Sequence, residues 1–253
     1  MLDRFSSRIF FGPAQQRLFR RGLPILAYHK IGHPPSGTTD PFLYVSPEQF
    51  DQQLGLLRRH KFGFASIDSV VDGGSGREQP VVVTFDDGCL NVLEHGLPIL
   101  ARHQTRAIQF LISDFLGRRN EWDVAKGDVP EPLMNVSHVR EWLAAGHEIG
   151  SHSLTHANLR RISAAKAREE IFGSKRALED KFGREVRHFS YPYGSWNEPI
   201  RDMVAEAGYS TACTMDFGVN PPEAARLQLR RVQPLSNSEM LAKIRHRLLS
   251  KIR

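Results

Sequence analysis

Val81-Val82-Val83-Thr84-Phe85-Asp86-Asp87-Gly88 reads as a buried strand that ends on two adjacent carboxylates. An ionised carboxylate is costly to bury and two side by side repel each other, so the pattern demands a compensating charge. A divalent cation would supply it. Candidate partners stand further along the chain in Ser151-His152-Ser153-Leu154-Thr155-His156. Its two imidazoles are four residues apart, a spacing that brings them together on a helical turn. One Asp with two His makes a three-ligand site with an open position, where a bound water can become a nucleophile.

Working outward, further apolar runs read as buried strands: Ile25–Tyr28, Ala107–Ile112, Glu148–Gly150, His188–Tyr191 and Tyr209–Thr214, with Leu229–Val232 as a final candidate. Helices are predicted near 47–60, 91–103, 136–145, 163–182 and 197–207. Ser46-Pro47 and Ser163 stand at helix starts, and Gly146, Gly183 and Gly208 at helix stops. Strands alternating with helices predict an α/β fold with a parallel sheet. A single-domain barrel would gather the strand C-termini, and with them Asp86, Asp87 and His152, at one mouth. Stretches 32–41, 72–80 and 117–133 are rich in Gly and Pro and read as loops, the last long enough to cover a mouth.

The chain has 253 residues, 40% of them hydrophobic, enough for one full core. Cys89 and Cys213 are far apart with no CxxC, which predicts two reduced core thiols. The net charge of +6 is carried by the ends. Residues 1–21 hold five Arg against one Asp, and residues 230–253 hold seven Lys or Arg against one Glu, so the body between is acidic. That argues against a nucleic-acid-binding core. Basic residues interleaved with apolar ones at both ends suit either amphipathic helices on an anionic membrane or ordinary packed helices. The expected organisation is a basic amphipathic segment at 1–22, a domain at 23–235 and a basic helix at 236–253. No apolar stretch is long enough to span a bilayer, and the N-terminus lacks a continuous apolar signal core. The expected location is therefore cytoplasmic, with peripheral contact at the inner membrane face.

The motifs resemble the polysaccharide deacetylases of the NodB-homology superfamily, the family 4 carbohydrate esterases. Thr84–Gly88 matches the family's TFDDG, and Gly146-His147-Glu148-Ile149-Gly150-Ser151-His152 through His156 matches its GHEIGSH(S/T)xxH. Tyr28-His29-Lys30-Ile31 is similar to the YHxI segment of the exopolysaccharide-deacetylase branch. The resemblance implies an irregular (β/α)7 barrel with a metal held by Asp87, His152 and His156. It also implies Asp86 as catalytic base and His29 as the acid for the leaving group, although a core or surface His remains an open reading of His29. The family's Arg-x-Pro-Tyr appears as Ser190-Tyr191-Pro192-Tyr193, with the backbone N–H of Tyr193 implied at the oxyanion. Ser190 stands where the family has the Arg that orients the catalytic carboxylate, and Arg231 is a candidate substitute. Trp196 reads equally as a sugar-stacking ring or a packed one.

The function so implied is metal-dependent removal of acetyl from N-acetylglucosamine-type sugars in a polysaccharide or lipid-linked saccharide. The expected cation is Zn, with Co, Ni, Mn or Fe as alternatives. A non-catalytic saccharide-binding barrel, or a C–N hydrolase acting on another acyl group, is the competing reading. Two His and a carboxylate also match the facial triad of non-haem iron oxygenases, but that chemistry has no use for Asp86.

Overall fold

Ile25-Leu26-Ala27-Tyr28 is buried at every position and forms strand β1 (Ile25–Tyr28). A run that is apolar on both faces fits only where a sheet is covered on both sides. The computed structural model describes residues 12–71 and 78–235. The strands that follow are β2 (Lys30–Ile31), β3 (Tyr44–Val45), β4 (Phe62–Phe64), β5 (Gln79–Phe85), β6 (Ile108–Leu111), β7 (Glu148–Ser151), β8 (His188–Ser190), β9 (Thr211–Phe217) and β10 (Leu229–Arg231). Seven of them run parallel in the order β1-β5-β6-β7-β8-β9-β10. The ring closes where Ala27 N–H donates to Val232 O at 3.0 Å and Val232 N–H donates to Ile25 O at 2.8 Å. The result is a nearly closed seven-stranded barrel, as the resemblance implied.

Helices follow from the expected caps. Ser46 and Gln49 form a reciprocal capping box at Pro47–Arg59, and Ser163 caps Ala164–Phe182. That long helix ends on Gly183 in the left-handed conformation at φ 64°. The helix expected at 91–103 opens instead with a π turn, Val92–Gly96, before Leu97–Arg102. Pro98 has no N–H to offer the carbonyl of Glu94, so the regular ladder cannot run through.

The main core lies between barrel and helices. Phe85 on β5 packs against Tyr28, Phe50 and Trp142, with ring centroids 5.5, 5.7 and 6.0 Å away. Each such buried ring contributes about 1.5–3 kcal/mol relative to exposure. The barrel interior is filled too: a Cβ on Gly150 would lie 2.5 Å from Phe110 Cδ1 and 2.9 Å from His188 O. Only glycine fits there. Cys89 and Cys213 are both buried and free, as read.

Two expectations are corrected. Gln79 and Pro80 belong to β5 rather than to a loop, and Pro80 is tolerated near the strand's start opposite Gly63 of β4. The stretch 117–133 contains a short helix, Glu121–Val124. The basic N-terminal segment is described from residue 12 onward. There Pro13–Phe19 is a helix whose Phe19 is buried against Phe62, ring centroids 6.0 Å apart, so this part is packed on the domain. Residues 1–11 and the helix expected at 236–253 lie outside the described residues.

Candidate functional site

Five strand ends deliver the site. His29 follows β1, Asp86 and Asp87 follow β5, His152 follows β7, the Tyr191–Tyr193 turn follows β8, and Arg231 closes β10. All meet at the C-terminal mouth of the barrel.

The two carboxylates part company through the backbone. Asp86 N–H continues the sheet by donating to Tyr28 O at 3.0 Å, whereas Asp87 sits at φ 72°. This left-handed conformation, unusual for a residue other than glycine, turns Asp87 toward the histidines. Its Oδ1 lies 3.5 Å from His152 Nε2 and 3.4 Å from His156 Nε2, and all three residues are buried.

His152 and His156 do not share a helical turn. Residues 152–157 form a loop with left-handed backbone at Ser153 (φ 66°) and His156 (φ 62°). The loop is held at both ends and in the middle. His152 N–H donates to Leu111 O at 2.8 Å, His156 N–H donates to Ser153 Oγ at 3.0 Å, and buried Glu170 accepts from Thr155 N–H at 2.9 Å and Thr155 Oγ1 at 2.6 Å. The imidazoles still converge, with ring centroids 4.9 Å apart.

The donor chemistry fits a cation. His152 Nδ1 lies 2.7 Å from Ser190 O, a carbonyl that can only accept, so Nδ1 carries the proton and the Nε2 lone pair faces Asp87. Asp87 Oδ1 is buried with no hydrogen-bond donor among the described residues. Burial, then the charge of Asp86, pushes the Asp87 carboxyl up to about 8. Burial pushes His152 down and His156 well down, keeping both imidazoles neutral. Three acceptors facing one another across a buried space are what a divalent cation would satisfy.

Asp86 has the opposite environment. Burial by itself would raise its pKa, but the charge and hydrogen bonds of Arg231 outweigh that and hold the carboxyl well below the usual carboxylate range. Arg231 is as buried as the carboxylate it grips. Its Nη1 donates to Asp86 Oδ1 at 2.8 Å and its Nη2 to Oδ2 at 2.7 Å. Nε is spent on Thr214 O at 2.8 Å, which fixes the plane of the guanidinium. Ser190 Oγ lies 3.3 Å from Asp86 Oδ2 and accepts from Arg231 Nη2 at 3.0 Å. The small Ser190 thus leaves room for the guanidinium arriving from β10. His29 Nε2 stands 4.0 Å from Asp86 Oδ2.

Pro192 is buried in the turn that carries Tyr193, and the Tyr193 ring is a wall of the site, 4.5 Å from the His156 ring. Trp196 is turned elsewhere: its Nε1 donates to Asp216 at 3.2 Å and its ring packs near Tyr191. The indole that does reach the site is Trp122, 4.8 Å from the His156 ring, from the 117–133 stretch. The sequence contains no periodic or spacing signal for Trp122 or for its neighbour Lys126, which donates to Tyr193 OH at 2.9 Å. Gln109, also unsignalled, is fully buried on β6 and donates to Asp86 O at 3.1 Å.

Residues 73–212 match the family described as polysaccharide deacetylase. The chain is 24% identical over 206 residues to the poly-beta-1,6-N-acetyl-D-glucosamine N-deacetylase of Staphylococcus aureus (strain MRSA252), covering 79% of this chain and 67% of that protein. The fold is similar to that of the Streptococcus pyogenes deacetylase PplD solved with acetate, at 24% identity, TM-score 0.73, and coverage of 88% and 97% of the two chains. It is similar as well to BC0361, a polysaccharide deacetylase from Bacillus cereus, at 26% identity, TM-score 0.69, and coverage of 88% and 68%. No helix among the described residues is long and apolar enough to cross a membrane.

Proposed function

The chain belongs to the polysaccharide deacetylase family, hydrolases of N-acetyl amide bonds, and on that premise we propose that it removes acetyl from an N-acetylglucosamine-type residue of a polysaccharide or lipid-linked saccharide, releasing acetate. The observation that carries this reading is the contrast at the mouth. Asp87 Oδ1 faces two imidazole Nε2 atoms at 3.5 and 3.4 Å, while its neighbour Asp86 is gripped by Arg231.

Asp87, His152 and His156 would hold a divalent cation, with Zn the best match to two nitrogens and one oxygen. When bound, it supplies Lewis acidity that activates water and polarises the amide carbonyl. Asp86 is the proton acceptor for the attacking water. Arg231 keeps it ionised and oriented, and a carboxylate held so low keeps a proton only transiently. His29, within 4.0 Å of Asp86 Oδ2, delivers a proton to the departing amine, which leaves poorly as an anion. The backbone N–H of Tyr193 donates to the oxyanion of the tetrahedral species; the turn bonds Gly194 N–H to Tyr191 O and Ser195 N–H to Pro192 O do not use it. Pro192, buried beneath, stiffens that turn. Trp196 is read as support for it and Trp122 as the ring nearer the sugar.

Residues 23–235 are read as the deacetylase domain, and the basic ends as contacts for an anionic lipid surface that would bring the protein to a membrane-borne substrate. Co-sedimentation with anionic vesicles that does not weaken with salt, or does not occur, would refute that last point. The function itself is tested by incubating metal-loaded protein with N-acetylglucosamine oligomers and following acetate and the mass of the glycan. Loss of one acetyl mass, absent in Asp86→Asn and after chelation, is expected. Unchanged glycans with intact wild-type protein would leave a saccharide-binding barrel as the better reading, and loss of a different acyl group would redefine the substrate.

A further inference from the structure

Tyr193 has backbone φ 61° and ψ 10°, a left-handed conformation that favours glycine, so the surroundings must hold it there. Part of that hold comes from a distant stretch of chain. Lys126 Nζ donates to Tyr193 OH at 2.9 Å and lies 4.6 Å from the centre of its ring. The same ammonium donates to Asp123 Oδ1 at 3.2 Å, one helical turn back. The Tyr193 ring also meets the His156 ring, centroids 4.5 Å apart, so it touches both a candidate ligand and the lysine.

The stretch that carries Lys126 is itself anchored. Asp128 Oδ1 accepts from Thr39 N–H at 2.8 Å and from Val129 N–H at 2.9 Å. Fully buried Asn120 bridges the base of the strap, accepting from Glu131 N–H at 2.5 Å and donating to Val129 O at 3.2 Å. Glu131 is also hydrogen-bonded to Tyr44, and Trp122 rests on His156 at 4.8 Å. Residues 120–131 therefore form a fixed strap across the mouth, tied to the loop before β3 on one side and to the turn after β8 on the other.

We propose that Lys126 is a positioning residue for the hydrolysis, clamping Tyr193 so that the turn presents its amide in one orientation. The inference rests on the reading above that the Tyr193 amide serves the oxyanion. Such a donor is effective only when held within about 0.5 Å and 10–20° of the productive geometry. Tyr193 is 45% exposed at the mouth, where an untethered ring would sample other rotamers. The strap removes that freedom before substrate arrives.

Lys126→Met removes both the hydrogen bond to Tyr193 OH and the cation over its ring, whereas Tyr193→Phe removes the hydrogen bond alone; both spare the backbone amide at position 193. Lys126→Met should lower kcat about tenfold and Tyr193→Phe by less, both short of the 10²–10³ that follows removal of an oxyanion donor. KM should change less than about threefold. Because Lys126→Met already removes everything that Tyr193→Phe removes, the double variant should be no slower than Lys126→Met. Lys126→Arg, which keeps a donor and a cation over the ring, should recover most of the rate. Wild-type kcat in Lys126→Met, or multiplying effects in the double variant, would overturn the proposal. A second readout does not depend on turnover: the amide order parameter of Tyr193 should fall from about 0.85 toward 0.6 in Lys126→Met. An unchanged order parameter defeats the clamp even if no acetate is ever released. Absence of acetate release by the wild-type protein, with the order parameter falling as expected, defeats the deacetylase reading and leaves the clamp standing.

Discussion

Arg231 and Asp86, 145 positions apart in sequence, form a two-pronged ion pair with both side chains buried. The guanidinium reaches the carboxylate from β10 and also donates to Ser190 Oγ at 3.0 Å. Breaking a buried pair strands the surviving charge, which typically costs 3–5 kcal/mol. Arg231→Ala should therefore destabilise the fold by about 3 kcal/mol or more in denaturant unfolding and lower kcat about 10²-fold by misplacing Asp86. Arg231→Lys should fall between, since a point charge cannot hold both oxygens in plane. The pair also stabilises the fold above the ordinary carboxylate range, a contribution lost as pH falls toward the depressed pKa of Asp86. Arg231→Ala with undiminished turnover would end the assignment of Arg231 as the orienting residue.

Asp87 should make metal affinity depend on pH. Its carboxyl is pushed up to about 8 by burial and by Asp86, so without a cation it holds a proton at neutrality that a ligand carboxylate must release. Apparent affinity should rise about tenfold per pH unit up to about pH 8 and then level off. Calorimetric titration near pH 7 in buffers of different ionisation enthalpy should detect one proton released per ion bound. The same group acts on stability with the opposite sense. A pKa raised above its unfolded value stabilises at low pH, and that contribution is lost as pH rises from the ordinary carboxylate range up to about 8, so the metal-free protein weakens across this window where Asp87→Asn does not. A flat affinity between pH 6 and 8 would contradict this.

The barrel was legible because its strands are continuous apolar runs: Ile25–Tyr28 coincides with β1, and Val81–Phe85 lies wholly within β5. The meeting of Asp87, His152 and His156 was legible because Asp and His carry chemistry that few other roles require in that order. Conformation at these three residues was not. Ser153, His156 and Asp87 are non-glycine residues in the left-handed region, and tertiary bonds such as those that Thr155 donates to Glu170 hold the loop that contains two of them. The strap was opaque for a related reason. Trp122 and Lys126 lie in a stretch with no hydrophobic period, and bonds to distant parts of the chain, Asp128 with Thr39, Glu131 with Tyr44 and Lys126 with Tyr193, decide where it rests. β2, β3 and β4 are two or three residues long, too short to show alternation.

His147, in the same motif as His152, has a structural task. It is buried, stacks on Trp142 at 4.2 Å, and its Nδ1 accepts from Ala107 N–H at 3.2 Å, joining the loop before β7 to β6. Burial, then Arg106, pushes the imidazole down to about 4. Between that value and the ordinary 6.5 the unfolded chain takes up a proton that the fold refuses, so stability is lost as pH falls across this window. The ceiling is about 3 kcal/mol. His147→Asn keeps an acceptor for Ala107 but cannot titrate, so its urea midpoint should differ less between pH 5 and pH 7 than that of the wild type. An equal difference in both proteins would assign the acid sensitivity to other groups.

His29 can be tested through the leaving group. An amine departs from the tetrahedral species only when protonated, whereas a nitrophenolate leaves unaided. If His29 provides that proton, His29→Ala should cut deacetylation of N-acetylglucosamine oligomers by 10²–10⁴-fold, the usual range for a positioned acid. Hydrolysis of nitrophenyl acetate by the same variant should fall far less. Asp86→Asn acts on the attack step common to both, so it should depress the two substrates alike. The 4.0 Å between His29 Nε2 and Asp86 Oδ2 permits a direct role for each at a shared reacting centre. Equal losses on amide and ester in His29→Ala would instead make His29 an electrostatic neighbour of Asp86, and the departing amine would need another donor.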